Sequence, residues 1–66
     1  MADADAALTA LRESRVKLFE ACRERDKLLA RRPTPVPLVT AANAEIELLR
    51  AAVQAARAAA AAALGE

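Results

Sequence analysis

The sequence predicts an all-α chain folded as an antiparallel two-helix hairpin, coiled-coil-like along its seam and completed by oligomerisation or by docking on a larger partner. Three observations carry that prediction. The apolar residues from Val39 to Ala63 keep an unbroken 3-4 spacing, the signature of a helix packed lengthwise on another helix. All three prolines fall between Pro33 and Pro37, so a single break divides two long proline-free stretches. Finally, the chain has no His, Trp or Tyr and only one Gly, a composition that favours helices and disfavours sheets.

The first helix is expected over about residues 4–31. Asp3 or Asp5 can cap its start, with the other carboxylate placed near the positive end of the helix dipole. At 100° per residue its large apolar side chains cluster around Leu11, Leu18 and Cys22, with Leu29 extending the stripe and Ala4 and Ala7 opening it. Val16 and Phe19 lie to one side. Glu13 precedes Lys17 by four residues, the favourable order for a helical ion pair. Arg31 and Arg32 sit where cations complement a helix C-terminus, and Pro33 follows.

Residues 32–37 form the bend. A proline follows each of Arg32, Thr34 and Val36, and a residue before proline is driven out of the α region, so this run cannot be helical throughout. The prolines are two apart, which does not match the PxxP spacing of an SH3 ligand. A linker is the simpler reading.

The second helix is expected over about residues 38–64, with a start anywhere from 35 to 41. Thr34 could cap it with Pro35 at the first helical position, or Thr40 could cap it with Val39 as the preceding apolar residue. Its seam is Val39, Ala42, Ile46, Leu49, Val53, Ala56, Ala60 and Ala63, and Gly65 suits a left-handed C-cap. The predicted intramolecular seam of the hairpin is therefore Leu11, Leu18, Cys22 and Leu29 against Val39, Ile46, Leu49 and Val53. A second heptad series, Ala41, Ala44, Leu48, Ala51, Ala55, Ala58 and Ala62, runs on roughly the opposite side, while Asn43, Glu47, Arg50, Gln54 and Arg57 share one narrow stripe. Exposed alanines alone would simply favour helix. A helix apolar on two sides is more often buried on both, so Ala44, Leu48, Ala51 and Ala55, with Val16 and Phe19 of the first helix, are the candidate partner interface.

The apolar fraction of 56% overstates the core, because 20 of the 66 residues are alanine and few can fill real volume. A chain this small seldom draws more than about 3–5 kcal/mol from one core, and a partner commonly supplies the rest. Ten basic against nine acidic residues give a net charge of +1, too little for a whole-protein field that would draw the chain onto nucleic acid or anionic lipid.

No set of residues points to catalysis or to a cofactor. Without His there is no nucleophile–base pair to propose, so an enzyme is not expected, and neither is a small-molecule substrate. Glu20 and Glu24 could in principle share a metal ion, but carboxylates at this spacing are ordinary on a charged helix face and no metal site is expected. Cys22 lies on the apolar stripe, where a lone cysteine acts as a small hydrophobe, and a single thiol fits a reducing compartment. The basic group Arg23, Arg25, Lys27, Arg31 and Arg32 is the one local charge excess, and Arg23, Arg31 and Arg32 are the candidate phosphate contacts. Glu24 and Asp26 interrupt it and no aromatics stand ready to stack bases, so nucleic acid is not the favoured partner. The Ala51–Leu64 run carries Arg57 and is too short to span a bilayer, and the acidic opening residues do not resemble a secretory signal. The leading expectation is a non-enzymatic structural or adaptor subunit in a larger assembly, for example a bacteriophage virion component, in the cytoplasm or assembled into the virion. The alternatives are a dimeric regulator binding RNA or DNA through the Arg23–Arg32 end, and a small inhibitor docking on a host protein.

Overall fold

A computed structural model describes residues 2–65, with side-chain surroundings from residue 4 to residue 65. The chain is an all-α hairpin of two helices, α1 (Ala2–Ala30) and α2 (Val36–Ala63), packed against each other along their length. Their arrangement makes a rod of 50 × 14 × 13 Å. Its radius of gyration of 15.1 Å compares with about 11 Å for a compact domain of this length. The accessible surface of 4984 Å² exceeds by roughly a fifth to a quarter the value of about 4,000 Å² for a compact protein of the same mass.

Helix α1 starts two residues earlier than the periodicity suggested and α2 starts at Val36, early in the expected range of 35 to 41, and each start has a local cause. In α1 the helix is already formed at Ala2, so Asp3 and Asp5 belong to its first turn and complement the dipole instead of capping it. The surroundings of the Asp3 side chain lie outside the described residues. In α2 neither threonine caps. Pro35 stands at the N-cap with φ −79° and ψ 82° and no side-chain bond, while its carbonyl accepts from the amides of Leu38 and Val39, both at 3.0 Å. Proline has no N–H, so Pro35 and Pro37 reduce the number of amides that a capping side chain would otherwise have to satisfy.

Thr34 is used at the other end of the bend. Its hydroxyl donates to the Arg31 carbonyl at 3.1 Å and accepts from Arg32 Nη1 at 3.2 Å. The same Nη1 donates to the carbonyls of Leu29 and Arg31, each at 2.9 Å. The guanidinium folds back over the last turn of α1 and satisfies acceptors that have no partner within the helix. At the far end of α2, the Gly65 amide donates to the Ala62 carbonyl at 3.1 Å with φ at +84°, the left-handed closure that glycine adopts without steric cost.

The seam of α2 is set apart from the rest of the helix, except at Ala61 near its end, which is also half-buried. Ile46 and Ala60 are buried at 2% and 4% exposure, and Val39, Ala42, Leu49, Val53 and Ala56 are half-buried. Only Ala63, in the last turn, is exposed. On α1 the half-buried positions Ala4, Ala7, Leu11, Ser14, Leu18, Ala21, Arg25 and Leu28 themselves repeat at 3-4 spacing, with Cys22 beside them. Leu29 departs from the expectation. It is 45% exposed, because the position facing α2 in this register is Leu28 and Leu29 lies about 100° around from it.

Two polar residues in the α1 seam explain why it reads poorly as an apolar stripe. Ser14 Oγ donates to the Ala10 carbonyl at 2.8 Å, which satisfies the hydroxyl within its own helix. Arg25 lays its aliphatic stem along the seam with the side chain 28% exposed, and its guanidinium reaches Asp26 at 3.4 Å.

Candidate partner-binding surface

The surface left over by the seam is where any function must act. Its most exposed large apolar side chains are Leu48 at 73%, Val36 at 64% and Phe19 at 63%, with Val16 exposed near Phe19 on α1. Ala44, Ala51 and Ala55 are exposed beside Leu48. The helical phase of each residue follows from its offset from the seam, and one lateral side of the hairpin is fixed by a shallow open groove of about 320 Å³. That groove is lined by Lys17, Glu20, Ala21 and Glu24 of α1 and by Ala42, Glu45 and Leu49 of α2. The same lining sets the Lys17–Glu24 stretch of α1 alongside the Ala42–Leu49 stretch of α2.

Leu48 lies round α2 on the Glu45 side of the seam. Phe19 lies round α1 on the side away from Lys17 and Glu24. Phe19 and Leu48 therefore face opposite sides of the rod, while Val16 lines a second shallow pocket with Arg12, Glu13, Lys17 and Glu20, so the candidate interface is not one patch. The sequence pattern could not show this, because the relative handedness of the two exposed faces depends on which flanks the hairpin brings together.

Phe19 is partly covered from its own helix. The Arg23 guanidinium carbon stands 5.8 Å from the centroid of the ring, a cation–π arrangement one turn along. The rest of the basic group is dispersed. Arg25 pairs with Asp26 at 3.4 Å, Lys27 pairs with Glu24 at 3.2 Å, and Arg32 is turned onto the end of α1. Arg31 is exposed at the bend. Of the three candidate phosphate contacts, then, Arg23 lies over an aromatic ring and Arg32 is engaged by carbonyls, and the structure does not gather them on one face.

The remaining polar features are ordinary surface chemistry. Arg50 and Glu47 approach to 3.5 Å on α2, whereas the expected Glu13–Lys17 pair is not among the ion pairs of the described residues. Exposed pairs of this kind contribute little, typically about 0–1 kcal/mol. Among the described residues no group of three or more His, Cys, Asp or Glu converges as a metal site would require, and Cys22 is free and half-buried. Among the same residues no helix is long and apolar enough to cross a membrane.

No protein-family model, curated protein or solved structure matches this chain.

Proposed function

We propose that the protein is a helical packing module, a small non-enzymatic structural or adaptor subunit that works through helix–helix contacts with other protein in a larger assembly. A virion component is one setting that would use such a subunit. The observation that carries the reading is the imbalance between inside and outside. Among the described residues only Ile46 and Ala60 are buried, while Leu48 and Phe19 stand out on two sides of the rod. A core of that size leaves little margin for a free-standing fold, and large side chains left in water are the usual anchors of helix–helix interfaces.

The dispersal of the cations supports a protein partner over RNA or DNA. Arg25, Lys27 and Arg32 already have partners within the chain, and a phosphate-binding surface would need them free and on one side. Native mass spectrometry of the particle recovered from its source, together with thermal melts at several concentrations, tests the reading. It expects a mass above that of the monomer and a melting temperature that rises with concentration or with added partner. A monomer mass with one cooperative, concentration-independent melt would contradict it, as would submicromolar nucleic-acid binding abolished by changing Arg23, Arg31 and Arg32 to Glu.

A further inference from the structure

The two helices differ in what they turn away from each other. The outward side of α1 carries Glu13, Glu20, Arg23 and Lys27, whereas on α2 the line Ala41, Leu48, Ala55 and Ala62, one heptad apart and exposed throughout, holds no charge. A helix laid along α1 would have to cover ions, and one laid along α2 would not. The α2 line also reads alike from both ends. Turned end over end about a two-fold axis at the height of Ala51 and Ala52, it falls back on itself, Ala41 on Ala62 and Leu48 on Ala55.

We infer that the occupant of this outer face of α2 is a second copy of this chain, related by that two-fold axis, so that two hairpins close through α2 as an antiparallel dimer. The inference rests on the packing-module reading and names its partner. In this register each Leu48 has an alanine opposite it, and the two leucines stand about 10 Å apart along the rod. Only alanines fill the rest of the line, so the helices approach closely. Glu45, at the edge of the contact on the groove side, falls level with Ala58 of the second copy and meets no like charge.

Helix α1, which played no part in placing the axis, supplies complementary charge. The bend centred near Pro33 and the groove lining put the Ala51 height of α2 level, within about a turn, with Arg15 of α1. Glu13 and Lys17 lie to either side of that height and line one pocket. The axis therefore sets Glu13 of each copy level with Lys17 of the other. Glu20 falls level with Ala10 of the second copy, and Arg12 lines the pocket from about 100° further round α1, away from the groove. Arg15 itself lies about 160° round α1 from Lys17, on the far side of the hairpin.

The available area suits one such contact. The surface in excess of a compact protein's is on the order of the 800 Å² that a standard interface takes from each partner. Because both copies use the same patch, the contact is isologous and closes at two.

Sedimentation velocity on the whole chain, at low salt and over a range of concentrations, tests this, with circular dichroism to follow the helicity of each variant. The wild type should pass from the monomer to twice its mass and grow no further. Glu13→Lys and Lys17→Glu, each alone, set like charges against each other at both symmetric contacts and should each raise the dissociation constant about tenfold. Mixed in equal amounts, the two variants should recover the wild-type dimer, because every facing pair is then opposite in charge. Mixing would not rescue a defect that lay within one helix. Phe19→Glu, on the other side of the rod, should dimerise as the wild type does. A wild type that grows beyond two, single variants that dimerise as the wild type does, a mixture that stays apart, or a dimer lost with Phe19→Glu would each overturn the inference. A wild type monomeric alone but recovered in a larger complex would overturn it and leave the packing-module reading standing.

Discussion

Leu48 and Leu49 are neighbours of identical chemistry on the same helix, and the structure gives them opposite surroundings. Leu49 is half-buried in the seam against α1, one turn from the buried Ile46, whereas Leu48 is 73% exposed in a row of alanines. The comparison extends along both faces, since Ala60 on the inner face is buried and Ala58 on the outer face is exposed. Side-chain hydrophobicity therefore says little about what a residue of α2 does. Its phase relative to α1 decides, and the inner face holds the hairpin while the outer face is left exposed.

Substitutions matched across the two faces can break that comparison. The largest effect is expected for Leu49→Asp, which puts a carboxylate into the seam and should cost several kcal/mol, comparable to the whole stability of so small a fold. Helical signal should be lost at every concentration. Ile46→Ala should cost about 2–4 kcal/mol by lost transfer energy and an incompletely closed cavity, read as a fall in melting temperature measured under associating conditions. The pair Ala60→Leu and Ala58→Leu sharpens the comparison further. The first overfills a site with 4% exposure and should destabilise by about 1–3 kcal/mol, while the second should stay within about 0.5 kcal/mol. Equal effects from the two would mean that α2 does not distinguish its faces. Smallest is Arg32→Ala, which removes the donors closing α1 and should cost about 1 kcal/mol, measured by urea unfolding. Its effect should not vary with concentration, because it belongs to the fold and not to the outer face.

The hairpin, its proline-bounded bend and the α2 seam were legible in the sequence because a strict 3-4 repeat of apolar residues leaves one helix phase open. The α1 seam was only half legible. Ser14 and Arg25 occupy seam positions, yet apolarity is the signal that periodicity reads, and their polar atoms are satisfied by the Ala10 carbonyl and by Asp26. An unbroken spacing from Ala4 to Leu28 was the signal available, and reading it would have placed Leu28 and not Leu29 against α2. The start of α2 was obscured for another reason: threonines are strong capping residues, and two prolines with no amide made a cap unnecessary. The exposure of the candidate interface residues was legible one by one, but not how they are placed around the rod. That Phe19 and Leu48 point to opposite sides follows only once Lys17, Glu24 and Glu45 are seen along one groove.

The central claim, that the inner face of α2 folds the hairpin and the outer face associates, is tested most directly by measuring helicity and mass together on Leu48→Asp across concentration. Leu48→Asp should behave at every concentration as the wild type does on dilution: helical at low temperature by circular dichroism, at the monomer mass by light scattering, with a melting temperature that no longer rises with concentration. Assembly of Leu48→Asp at wild-type concentrations, with the wild-type rise in melting temperature, would contradict the claim and leave the alanines around Leu48 as helix formers alone.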